Sequence, residues 1–224
     1  MKPGLGTVYR LSCVCIASVS LQTRVDGSFK KRGSLIKQNV IDRGAANVFT
    51  RVIRVGETLP DCVLYEDYPT NSIKLPDLLV ARNVVIFAVP GAFTPGCSRT
   101  HLPGYLNVAE RMKSDGVHEI ICVSVNDPYV MAAWSEKYHT KGKVRMLADP
   151  SGDFVRGIGL GMNIPALGGY RAKRFSMFTT NSVVKELNIE PDGTGLSCSL
   201  ASALEYQKYF SKKEAPEDEN PNKV

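Results

Sequence analysis

The stretch AVPGAFTPGCSRTHLPGY, residues 88–105, decides how the chain is read. It opens on the end of an apolar, β-branched run, VVIFAV (84–89), passes through prolines and glycines, and continues into a helical segment, Arg99 to Asp115, that stops before Gly116. A strand that turns into a helix leaves the first helical N–H groups without backbone partners. Cys97 sits among those groups, and their partial positive charge favours a thiolate, the nucleophilic form of cysteine. Pro90 and Pro95 remove backbone donors and stiffen the turn, while Gly91 and Gly96 let backbone approach a small ligand. Disulfide-exchanging sites commonly place Cys-x-x-Cys on such a turn, but here Thr94 stands at the first sulfur position. Its hydroxyl can both accept from and donate to a ligand beside the Cys97 sulfur. A buried, inert cysteine is the alternative for Cys97 by itself; the threonine, glycines and prolines around it favour chemistry.

Outward from this turn the chain reads as α/β. VVIFAV and IICVSV (120–125) have the composition of strands covered on both faces. Asp127 to His139 begins with an Asp cap and a Pro at the first helical position. RFSMFTT (174–180) and SVVKELNI (182–189) flank a tight turn at Asn181 and predict an antiparallel hairpin. Residues 199–211 are expected to form a closing helix. Strands alternating with helices, then a hairpin and a last helix, imply a mixed central sheet flanked by helices. No internal repeat is present.

The formal charge of +6 is unevenly placed. Residues 1–54 carry ten Lys/Arg against Asp26 and Asp42, whereas the remaining 170 residues carry 18 basic and 20 acidic groups. A body so close to neutral has no electrostatic footprint for nucleic acid. The leader, 1–52, is rich in Arg, Lys and Ser and poor in acids, the pattern of a mitochondrial transit peptide, with processing expected near residues 45–54. The short apolar run LSCVCIASVSL (11–21) suggests a secretory signal instead, but basic residues continue some thirty positions beyond it. Mitochondrial import is therefore favoured over secretion, and a cytoplasmic pool is compatible with the same chain. An extension carrying no address is the plainest alternative. No apolar run is long enough to span a bilayer, and the last residues, Asn222-Lys223-Val224, do not form a peroxisomal signal. The tail, 212–224, is charged and poor in apolar residues, so disorder is expected. The domain between is 53–211.

Pro90-x-x-x-Thr94-x-x-Cys97 resembles the peroxidatic motif of the peroxiredoxins, and VPGAFTPGCSRTHLPGY is similar to the type V, atypical two-cysteine class. SVNDPYV (124–130), KVRMLADPSGDF (143–154), KRFSM (173–177) and NIEPDGTGLSCSL (188–200) agree, so the resemblance spans about residues 53–210. It implies a thioredoxin-like fold and an antioxidant thiol peroxidase that reduces hydrogen peroxide and organic hydroperoxides. Cys97 would attack the O–O bond and become a sulfenic acid. Thr94 and the Gly96 and Cys97 amides would hold the peroxide, Arg174 would stabilise the thiolate and the leaving oxygen, and Pro90 would keep water out. Cys198 would resolve the sulfenic acid as an intrachain disulfide, which thioredoxin would reduce. Cys122, 25 residues after Cys97, is the rival resolving thiol; its mid-strand place reads more simply as core packing.

The other residues carry less. Cys62 reads as a packing or surface thiol, and Cys13 and Cys15 fall in the leader. His101 reads as a structural helix histidine, with loop orientation as the alternative, and His118 and His139 as solvated helix-edge residues. Trp134 and Tyr138, spaced i,i+4, read as helix packing. No metal-ligand spacing appears, so neither metal nor cofactor is expected. A monomer and a non-covalent homodimer both fit. Two other classes remain on the same fold: a glutaredoxin-like exchanger, disfavoured by the missing Cys-x-x-Cys, and a non-catalytic redox sensor.

Overall fold

The computed structural model describes residues 51–210. The expected leader lies outside them except for Arg51 and Val52, and the expected tail lies outside them entirely. A seven-stranded mixed sheet forms the centre, in the order β2-β1-β5-β4-β3-β8-β9. Its strands are β1 (Val63–Glu66), β2 (Ser72–Lys74), β3 (Asn83–Val89), β4 (Glu119–Ser124), β5 (Arg145–Ala148), β8 (Phe175–Thr180) and β9 (Val183–Ile189). β3, β4 and β5 run parallel, while β8 pairs antiparallel with β3 and β9 with β8. A separate hairpin joins β6 (Gly161–Ile164) to β7 (Gly169–Ala172). The helices are α1 (Leu75–Leu79), α2 (Leu102–Ser114), α3 (Pro128–Tyr138) and α4 (Asp153–Gly157). This is the thioredoxin-like arrangement expected from the sequence.

The β-branched run of β3 is buried on both faces, as its composition requires. Val84, Ile86 and Ala88 enter one core cluster, and Val85, Phe87 and Val89 enter the other. β4 repeats the alternation, with Ile121 and Val123 on the first side and Ile120 and Cys122 on the second. This is the period of two that a strand imposes. Asp127 caps α3 by accepting from the Val130 amide at 3.0 Å, and Pro128 opens the helix. The β8–β9 turn puts both Asn181 and Ser182 at positive φ, 49° and 65°. Among the described residues no helix is long and apolar enough to cross a membrane.

The closing helix expected over 199–211 does not form. The described part of that segment holds two short 3₁₀ turns, Ala201–Ala203 and Tyr206–Tyr209, separated by an extended Leu204. The buried positions explain this: Leu204 and Tyr206 both face inward two residues apart, a spacing that would put them on opposite sides of a helix. The Glu205 amide also donates to the Glu186 carboxylate at 3.0 Å, a side-chain acceptor where a helix would supply a backbone carbonyl.

Candidate active site

Cys97 and Arg174 meet because of sheet register. β3 and β8 are antiparallel neighbours with Ala88 opposite Phe175. The chain therefore leaves β3 toward Cys97 close to where Arg174 enters β8. Pro90, buried at the end of β3, begins the loop. Phe93 holds a left-handed backbone, φ 62°, which costs a residue with a side chain about 1–2 kcal/mol. Such strain is kept where neighbouring structure over-determines a loop. The Thr94 carbonyl accepts from the Ser98 amide at 2.9 Å, the first bond of the new helix. The amides of Gly96 and Cys97 thus lie in the turn that has no helical acceptor. From Cys97 to His101 the helix widens to a π turn, with the Leu102 amide donating to the Cys97 carbonyl. Single π turns inside α-helices concentrate at functional sites.

The sulfur is fully buried, and Arg174, 3 % exposed, donates to it from Nη1 at 3.4 Å. The same Nη1 lies 3.2 Å from His101 Nδ1. His101 Nε2 lies 3.0 Å from the Ser199 carbonyl oxygen, which can only accept. Nε2 therefore carries the proton, and Nδ1 is left as an acceptor for the guanidinium. Burial pushes the ring down to about 4, assisted by the Arg174 charge and opposed by the Ser199 hydrogen bond, so it stays neutral. Phe87 stacks on Tyr105 with centroids 4.0 Å apart and meets the His101 ring edge-on at 5.1 Å. The Tyr105 hydroxyl donates to the same Ser199 carbonyl at 2.9 Å. His101 thus bridges Arg174 and the Ser199 carbonyl, contacts that only its tertiary partners reveal.

Thr94 Oγ1 donates to the Gly91 carbonyl at 3.0 Å, which leaves its oxygen able to accept from a ligand O–H. The outer wall comes from the 190–199 loop. The Thr194 carbonyl accepts from Arg174 Nε at 3.1 Å, and Leu196 packs over Gly96, where an added Cβ would meet it at 3.3 Å. Trp134, beyond its packing on Tyr138, donates to Ser98 Oγ at 3.1 Å and so braces the turn from behind. A cavity of about 580 Å³ lies elsewhere, lined by Tyr68, Ser135, Glu136 and Lys141 among others, and contains none of these groups.

The four described cysteines are all free. Cys198 is half-buried, with its thiol donating to the Ile189 carbonyl at 3.2 Å. Its flanks are held by Glu190, 1 % exposed. That carboxylate accepts from the Ser197 and Ser199 amides at 2.8 and 2.9 Å and from both hydroxyls at 2.6 Å. Burial would raise this carboxyl, but the four hydrogen bonds outweigh it and hold it near 2. The loop is therefore fastened on both sides of Cys198. Cys122 is fully buried in β4, and burial drives its thiol well above the ordinary range. Burial and the nearby Asp149 and Asp61 charges push Cys62 up to about 12. His118 Nδ1 accepts from the Asn83 amide at 3.0 Å at the surface, and His139 ends α3 in a left-handed conformation. Among the described residues no group of His, Cys, Asp and Glu is arranged to hold a metal ion.

Comparison with known proteins agrees with this geometry. The redoxin family model matches residues 54–204. Peroxiredoxin-2C of Oryza sativa subsp. japonica is 42 % identical over 146 residues, 63 % of this chain and 90 % of that protein. The chloroplastic peroxiredoxin-2E of Arabidopsis thaliana is 32 % identical over 91 % of this chain and 90 % of its own. The crystal structure of reduced Prx3 from Vibrio vulnificus in complex with hydrogen peroxide is 40 % identical, with a TM-score of 0.64 over 68 % of this chain and 97 % of that one. Peroxiredoxin 5 from Alvinella pompejana is 41 % identical, with a TM-score of 0.59 over 65 % and 95 %. The chain belongs to the redoxin family and within it to the peroxiredoxins, the thiol-dependent peroxidases, and its likeness to the peroxiredoxin 5 structure fits the type V class.

Proposed function

We propose that Cys97 is the peroxidatic nucleophile and that the enzyme reduces hydrogen peroxide and small organic hydroperoxides. The observation that carries this is the Arg174 guanidinium on the Cys97 sulfur at 3.4 Å in a site closed to bulk water. A permanently charged donor stabilises the thiolate and then the negative charge growing on the departing oxygen. The thiolate attacks one peroxide oxygen, the O–O bond breaks, and the leaving oxygen departs as water or alcohol after taking a proton, leaving Cys97 as a sulfenic acid. Thr94 Oγ1 accepts from the peroxide O–H, and the Gly96 and Cys97 amides donate to its oxygens. The peroxide complex of the Vibrio vulnificus relative supports hydrogen peroxide as substrate.

Cys198 is assigned the resolving role. Its thiolate attacks the sulfenic sulfur, the S–O bond breaks, and water leaves as the Cys97–Cys198 disulfide forms. Cys122, central in the sheet, would have to break β3–β4 and β4–β5 pairing to do the same. A thioredoxin dithiol is the proposed reductant, and residues 1–52 are proposed to direct the chain to mitochondria. The test is mass spectrometry of reduced protein after one equivalent of hydrogen peroxide. An intrachain Cys97–Cys198 bond is expected; a Cys97–Cys122 bond would move the resolving role, and an unmodified Cys97 would refute the nucleophile.

A further inference from the structure

The loop that carries Cys198 does two incompatible things. Closed, it completes the peroxide site, because Thr194 holds the Arg174 guanidinium and Leu196 covers Gly96. Closed, it also turns the Cys198 thiol onto the Ile189 carbonyl, where it is occupied as a donor. To reach Cys97 the Cys198 thiol has to leave the Ile189 carbonyl, and the strength with which its flanking residues are fastened sets how readily it does so.

That fastening converges on one side chain. Glu190 grips the residues on both sides of Cys198 through four hydrogen bonds. Its backbone ties the same loop to the catalytic arginine: the Glu190 amide donates to the Arg174 carbonyl at 3.0 Å, the Gly193 amide to the Glu190 carbonyl at 2.9 Å, and the Arg174 amide to the Gly193 carbonyl at 2.7 Å. Ser199 is held a second time, by His101 and Tyr105 on its carbonyl, and His101 also bears on Arg174. The carboxylate therefore sits where the nucleophile's partner and the resolving cysteine's anchors meet.

We propose that Glu190 is a positioning residue that latches the Cys198 loop, so that release of its hydrogen bonds to Ser197 and Ser199 sets the rate at which Cys97 sulfenic acid is resolved. The inference rests on Cys198 being the resolving thiol. Resolution then proceeds from a minor open state, at a rate equal to the open fraction times the rate of sulfur attack. Weakening the latch raises the open fraction and speeds disulfide formation. It does not speed the peroxide step, which uses the closed loop.

The experiment is a single turnover of the full-length reduced protein with hydrogen peroxide. Trp134, the chain's one tryptophan and hydrogen-bonded to the neighbour of Cys97, gives the fluorescence signal. Acid quenching followed by mass spectrometry counts sulfenic acid and disulfide. Glu190→Gln removes the charge from all four bonds and is expected to accelerate disulfide formation about tenfold, with no acceleration of sulfenic acid formation. Ser197→Ala removes one hydroxyl bond, spares the carboxylate, and is expected to give about threefold. Both variants should need more peroxide to form sulfinic acid, because resolution competes with over-oxidation. A residue that merely stabilised the fold would not shift that competition toward resolution. Disulfide formation that is unchanged or slower in both variants overturns the latch. Cys198→Ser separates the two claims: if Cys97 still forms an intrachain disulfide there, the resolving assignment falls and the latch with it. If that disulfide disappears while Glu190→Gln and Ser197→Ala leave the parent rate unaltered, the latch alone falls.

Discussion

Acidification should destabilise this enzyme through His101 before it does so through any of its lowered carboxylates. The ring is fully buried and neutral, held down from its ordinary 6.5 to about 4. An unfolded chain takes up the proton as soon as pH drops below 6.5, whereas the folded chain refuses it until about 4. Protons therefore favour unfolding across that window, and the stabilisation present above it is lost as pH falls. A gap of 2.5 pH units at about 1.4 kcal/mol each gives about 3.5 kcal/mol in full, most of it gone by pH ~4.5. The assay is equilibrium urea unfolding of reduced protein at pH ~7 and ~4.5, on the parent and on His101→Gln, which offers a donor to the Ser199 carbonyl but has nothing to titrate. Groups common to both proteins cancel, including Asp149, whose burial raises its carboxyl and acts in the opposite direction. The parent should lose about 2–3 kcal/mol more than the variant over this range. Parallel losses would show that His101 is not the buried neutral donor described, and the tautomer assigned to it would fail as well.

Further outcomes are expected at the same centre. Arg174→Gln should slow the reaction of Cys97 with hydrogen peroxide by about 10²–10³, read by stopped-flow, since removing one preorganised donor to developing charge has an effect of that size; a loss under fivefold would refute its role. Thr94→Val, which keeps the shape and removes the hydroxyl, should slow the same step about tenfold and leave disulfide formation from preformed sulfenic acid unaffected. Cys122→Ser should cost about 1–2 kcal/mol in urea unfolding by burying a hydroxyl in β4, while the Cys97–Cys198 peptide still appears in digests. Glu190 adds a second acid limb: its carboxyl is held near 2, so its contribution is complete above 4.5 and is lost as pH falls toward 2. Glu190→Gln should abolish that limb in urea unfolding.

Much of the surroundings of Cys97 was legible because it is local. Pro90, Thr94, Gly96 and Cys97 lie within eight residues, and their turn chemistry follows from residue type. The central strands were legible for the same reason, since β-branched runs report burial on both faces. Arg174 entered through family resemblance, as nothing local distinguishes an arginine before a strand. The contacts of His101 were not legible because its partners lie far along the chain, Ser199 98 positions away and Arg174 73 positions away. For Glu190 a signal was available in the two serines flanking Cys198, seven and nine residues beyond it. The closing helix failed for the reverse reason: residues 199–211 have local helical character, but burying both Leu204 and Tyr206, two positions apart, draws the chain extended at Leu204.

The antiparallel pairing that sets Ala88 against Phe175 also decides when Cys97 gains its cationic neighbour. Cys97 and Arg174 are 77 residues apart along the chain, so in a nascent or unfolded polypeptide the sulfur has no guanidinium beside it and behaves as an ordinary cysteine. Only the non-local closure of β8 onto β3 brings the pair together. The cation beside the sulfur is thus acquired in the same event that pairs these two strands, and the surroundings of Cys97 in a chain still being made differ from those in the folded one.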